Sequence, residues 1–139
     1  MRLSMTRALL LLPLLLLAGA CGDDNPTRLP TLPDIPTITE TFSGELTKNG
    51  AATHSYVARL AGSTTARLTM LSPDSMLVIG LSLGTWNGST CQIILANDKA
   101  TQDSIVTGIA SSAGNLCVRV YDVGNVTEPV SYEIQVTHP

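Results

Sequence analysis

Histidine is scarce in this 139-residue chain: His54 and His138 are the whole supply. A hydrolytic centre needs a nucleophile, a base and an orienting group within hydrogen-bond reach. His138 is penultimate, where chain ends fray, and His54 shares parity with Tyr56 at the start of a strand-like stretch, a usual place for a rim or packed histidine. No His-Glu-x-x-His or phosphate-cradling glycine loop occurs, so no catalytic activity is expected. Basic clusters interleaved with aromatics are absent as well, which removes the electrostatic footprint of nucleic-acid binding. Without a Cys-x-x-Cys, and with neither histidine near Cys91 or Cys117, no transition-metal or redox set is indicated. Acidic residues do fall at turns, at Asp74, Asp98 and Asp122. They leave room for calcium, which takes about six to eight oxygens, but show no tight Asp-x-Asp spacing and no ligand set to assign. Turns also favour Asp and Asn for backbone reasons. Finally, no stretch carries a 3.6-residue apolar stripe, so helices are not expected.

What is present starts with an apolar run from Ala8 to Ala20, 13 residues behind Arg2 and Arg7. A membrane-spanning helix needs roughly 20 residues, so this run reads as an export leader. Its end, Leu17-Ala18-Gly19-Ala20-Cys21, resembles the lipobox of bacterial lipoproteins. The resemblance implies cleavage before Cys21, acylation of Cys21, and a membrane partner reached through that lipid. With three acyl chains, each buried methylene contributing ~0.8 kcal/mol, release would be slow. It also implies a bacterial cell-envelope location, with Gly22 rather than an aspartate in second place favouring the outer membrane. The alternative is an ordinary secretory signal cleaved after Ala18-Gly19-Ala20, with Cys21 a disulfide partner.

Losing residues 1–20 lowers Lys plus Arg from 8 to 6 against 11 acids, a formal balance of −5. With Cys21 acylated, Cys91 and Cys117 remain as an even pair in an oxidising compartment, and a disulfide is expected. Residues 21–37 form a tether with prolines at 26, 30, 33 and 36, a density that forbids helix and favours extended conformations.

The domain is 38–139. Strands are expected at 38–46, 53–60, 65–72, 76–83, 91–96, 103–110, 115–122 and 130–137, separated by turn signals such as Lys48-Asn49-Gly50 and Asn87-Gly88-Ser89. Alternation puts Tyr56, Ala58 and Leu60 on one face, Leu68 with Met70, Leu116 with Val118 and Val120, and Tyr132 with Ile134 and Val136. Residues 76–83 are apolar on both faces and read as a central strand. The fold class is all-β, an antiparallel sandwich.

The same strands carry a family resemblance. Phe42-Ser43-Gly44-Glu45-Leu46, Ser55-Tyr56-Val57-Ala58 followed by Ala61-Gly62, the apolar stretch Leu77 to Leu83, Ala113 to Val120 and Ser131 to Val136 together resemble the bacterial pre-peptidase C-terminal domain. That resemblance covers about 38–138 and implies a jelly-roll-like β-sandwich of about eight strands. Such domains are usually appended to exported enzymes, in binding or targeting roles. This chain departs from the pattern in having no catalytic domain and in having the Cys91/Cys117 pair.

Three residues stand out as candidate ligand contacts. Trp86, the one tryptophan, lies in an expected loop, Leu83-Gly84-Thr85-Trp86-Asn87-Gly88; it either stacks on a sugar ring or protein partner, or caps the core. Tyr121 and Arg119 oppose Val118 and Val120 and so share an outer sheet face, either a binding surface or a solvated one. The expectation is a lipid-anchored, non-catalytic module of the cell envelope whose partner is an envelope protein or a glycan. A carbohydrate-binding module using Trp86 and a structural subunit of an envelope complex are the specific alternatives.

Overall fold

Eight strands form in chain order in the computed structural model, which describes residues 33–139; the expected leader 1–20, Cys21 and the expected tether up to residue 32 lie outside the described residues. They are β1 (Ile38–Leu46), β2 (Ala51–Ala58), β3 (Gly62–Ser72), β4 (Ile79–Trp86), β5 (Cys91–Ala100), β6 (Ile105–Ala110), β7 (Gly114–Tyr121) and β8 (Val130–His138). Two four-stranded antiparallel sheets result, ordered β1-β8-β3-β6 and β2-β7-β4-β5. Successive strands β1 and β2, β3 and β4, and β7 and β8 lie in opposite sheets, the jelly-roll arrangement of two interlocked Greek keys.

The alternation that defines the strands also fills the core. Val130, Tyr132, Ile134, Val136 and His138 of β8 point inward, while Ser131 and Gln135 face solvent. They meet Val118 and Val120 of β7 and Ile79, Leu81 and Leu83 of β4 across the sandwich. Both faces of β4 are covered, as expected of a central strand between β7 and β5. It starts three residues later than the apolar run suggests, because Asp74 holds a turn: its carboxylate accepts the Met76 N–H at 2.8 Å and its carbonyl the Leu77 N–H at 3.3 Å.

Three expected positions are corrected. Met70 does not join Leu68 inside: a register shift between them in the β3–β8 ladder turns Met70 out (37% exposed) and Leu71 in (2%). Leu60 is 50% exposed because β2 ends at Ala58, two residues before it. His138 is not frayed. It is fully buried as the last residue of β8, its Nε2 2.9 Å from Glu40 Oε1 and its ring 4.8 Å from that of Tyr56. Next to it, the Pro139 carbonyl accepts the Arg59 N–H at 2.9 Å.

The outer face of β4 is stripped to Gly80, Ser82 and Gly84, and neighbours close over it. The Tyr121 ring lies against Gly80, and the start of β5 crosses so near Gly84 that a Cβ there would collide with the Gln92 carbonyl. Cys91 is thereby brought over β4 to Cys117 on β7. The two are disulfide-bonded, with Cα atoms 5.8 Å apart, inside the span such a bond allows.

Candidate ligand site

Pairing between strands builds the site on the outer face of the β2-β7-β4-β5 sheet. On β7, Cys117, Arg119 and Tyr121 point outward because Leu116, Val118 and Val120 fill the core. Arg119 sits between Thr53 of β2 and Ser82 of β4 in the ladder, and its carbonyl accepts the Ser82 hydroxyl at 3.3 Å. Trp86 is placed differently from the sequence expectation. It is the last residue of β4, paired with Cys91, rather than a loop residue. It is only partly buried and stands outside the core cluster, so it does not cap the sandwich.

The turn after Trp86 is rigidly organised by Asn87. Its Oδ1 accepts the N–H groups of Ser89 (2.9 Å) and Thr90 (2.8 Å), and its Nδ2 donates to Thr90 Oγ1 at 2.9 Å. Gly88, at φ +98°, supplies the left-handed turn residue. This fixes Ser89 and Thr90 in the turn that follows Trp86.

Trp86 and Arg119 thus meet in one depression of about 320 Å³, lined by Ala51, Thr53, Trp86, Ser89, Thr90, Cys91 and Arg119. Tyr121, the third candidate, does not line it. It supports Arg119 instead, whose guanidinium carbon lies 5.6 Å from the Tyr121 ring centroid. The Tyr121 hydroxyl donates to Asp98. Burial first, then that hydrogen bond and the negative charge of Asp98, push the Tyr121 phenol up to about 12. The arrangement offers an aromatic face, a guanidinium fork and three hydroxyls, a set suited to a ring-shaped polyhydroxy ligand.

Sequence reasoning missed Thr53, Ser89 and Thr90. The Trp86–Cys91 spacing around Asn87-Gly88 does carry a hairpin signal that opposes these two residues, and from it Ser89 and Thr90 follow. Thr53 reaches the site only through its pairing with Arg119, which no local signal records.

The remaining polar candidates have local partners. His54 stacks on Phe42 (centroids 4.9 Å apart, planes at 15°) and its Nε2 lies 2.8 Å from the Tyr132 hydroxyl. Burial lowers its pKa. Tyr132 crosses the sandwich from β8 to reach it, tying the two sheets together. The acids do not converge: Asp74 holds its own turn, Asp98 takes the Tyr121 hydroxyl, and Asp122 accepts four main-chain N–H groups. Among the described residues no three His, Cys, Asp or Glu side chains gather at metal-binding distance.

The fold is similar to that of the crystal structure of the Yersinia pseudotuberculosis-derived mitogen, with a TM-score of 0.53 over 75% of this chain and 88% of that one, at 17% sequence identity. Identity at that level marks shared architecture alone. No protein-family model matches the chain, and no curated protein is detectably similar in sequence.

Proposed function

We propose that this chain is a lipid-anchored binding module of the bacterial cell envelope, without catalytic activity, that holds a glycan in the depression between Trp86 and Arg119. The observation that carries the reading is the meeting of an outward-facing indole, a guanidinium and hydroxyls at one concave place. An export leader ending in the lipobox-like Leu17-Ala18-Gly19-Ala20-Cys21 supports the anchor and, through Gly22, an outer-membrane address. The pre-peptidase C-terminal-like pattern of the strands favours binding over chemistry. Anchoring confines the module to a surface, where a weak site gains from effective concentration.

A second reading, a structural subunit of an envelope complex, is favoured by one observation. Edge strand β5 exposes Ile93, Ile94 and Leu95 in a row, the kind of surface a protein partner covers.

Two measurements test the site and the anchor. On glycan arrays, the wild-type lipoprotein in detergent is expected to bind and Trp86→Ala to lose binding with its circular dichroism unchanged; binding that survives Trp86→Ala refutes the site. Cys21→Ala is expected to accumulate as the precursor, and normal processing of that variant refutes the anchor.

A further inference from the structure

The chemistry of the depression narrows the ligand further, and this step rests on the glycan reading. Among the cations of the described residues, Lys48, Arg59, Arg67 and Lys99 are exposed and only Arg119 is half-buried. Arg67 has Asp103 at 2.8 Å. Arg119 has no carboxylate in salt-bridge contact among the described residues, and its one recorded partner is the face of Tyr121. A ring quadrupole only partly offsets a full charge, so a partly desolvated guanidinium is left without a counter-ion. The chain as a whole is acidic, at a formal −3, yet among the described residues no acid lines the depression: its other walls are hydroxyls, an indole, an alanine and a disulfide. Asp98, which approaches this face, is engaged by the Tyr121 hydroxyl.

We infer that the depression selects carboxylated pyranosides, such as uronic acids, with the sugar ring on the Trp86 indole and the carboxylate on the Arg119 guanidinium. A guanidinium matches a carboxylate through two parallel N–H···O bonds, and a charge-assisted pair is about twice as strong as a neutral one. The Thr53, Ser89 and Thr90 hydroxyls are left for the ring hydroxyls. Tyr121 is a positioning residue here: it holds the guanidinium in place without lining the site.

The test uses the full lipidated chain in detergent on an array that pairs uronate-bearing oligosaccharides with their neutral parents. A preference of about tenfold or more for the acidic member is expected, in line with a charge-assisted contact. Arg119→Gln should abolish the preference while weak ring binding persists, and Arg119→Lys should restore part of it, because lysine keeps the charge but not the fork. Methyl esterification of the same uronates asks the question without altering the protein, and esters should bind like the neutral sugars. Titration of methyl glucuronide against methyl glucoside can be followed by intrinsic fluorescence, since Trp86 is the only tryptophan. Equal binding of acids, esters and neutral sugars overturns the inference and leaves the glycan reading standing. Failure to bind any sugar on the array overturns both.

Discussion

At Asp122 one carboxylate collects the main-chain N–H groups of Asn49, Gly124, Asn125 and Val126 at 2.7 to 3.0 Å. Asn49 belongs to the β1–β2 turn and the others to the β7–β8 connection, so this side chain joins two segments far apart in sequence. Those four bonds outweigh desolvation and hold its pKa at about 2 against an ordinary 3.8. The folded form therefore favours the ionised group, and the stabilisation is complete above pH 3.8 and lost as pH falls through about 2. His54 works in a higher window. Burial lowers its pKa below 6.5, so folding favours the neutral ring, and its contribution is complete above pH 6.5 and declines as pH drops below that. Thermal melts between pH 7.5 and 2 should show stability falling in both windows, with His54→Gln reducing the upper decline and Asp122→Asn the lower. A single decline unaffected by either variant would refute the assignment. Neither role is legible from the sequence. His54 reads correctly as a packed histidine, but its Tyr132 partner is 78 residues away, and Asp122 reads only as a turn acid.

Strands are the scale at which the sequence speaks most clearly. All eight are present, with ends displaced by up to four residues, and β1 matches residue for residue. Errors arise where one strand's shape depends on another. The bulge in β3 exchanges Met70 for Leu71 because β8 sets the register, and Gly84, in the stretch that reads as a loop, lies within β4. Its glycine is required for closeness, not for turning. At Gly84→Ala the new methyl would meet main-chain atoms of Gln92, which cannot swing away as a side-chain tip does. The expected loss of stability is at the upper end of the roughly 1–3 kcal/mol typical of overpacking. Gly114→Ala, with nothing within 4 Å of the added carbon, should change stability by less than about 0.5 kcal/mol. Chemical denaturation of the two variants side by side checks this, and equal effects would refute it. The candidate site follows the same logic. Trp86 and Arg119 were identifiable from residue type and parity, but that they share one depression is a product of the β2-β7-β4-β5 ladder.

For the whole molecule the decisive covalent link is Cys91–Cys117, joining positions 26 apart in sequence. Closing a loop of that length restricts the unfolded chain by about 3 kcal/mol on the chain-entropy account. The Cys91→Ser/Cys117→Ser variant should unfold at lower urea by that amount. It should also bind ligand more weakly, because Cys91 forms part of the depression's wall and the bond holds the start of β5 over Gly84. Unchanged urea stability and affinity would make the bond incidental. Cysteine number and the expected compartment are enough to pair these residues; the clamp they make across β4 is not foreseeable, since it needs the fold. One pairing has a further consequence. Ile38 of β1 lies opposite His138 of β8, and the ladder runs unbroken to Leu46 and Val130. The first and last strands are therefore a hairpin without its turn, and the strand sequence is cyclic. A few residues joining 139 to 38 would close the ring, and the chain could then be cut at the Ser111–Ala113 bend to give a circular permutant with the same two sheets. For the same reason, a passenger domain fused after Pro139 would leave the sandwich at the end where the N-terminal segment enters it.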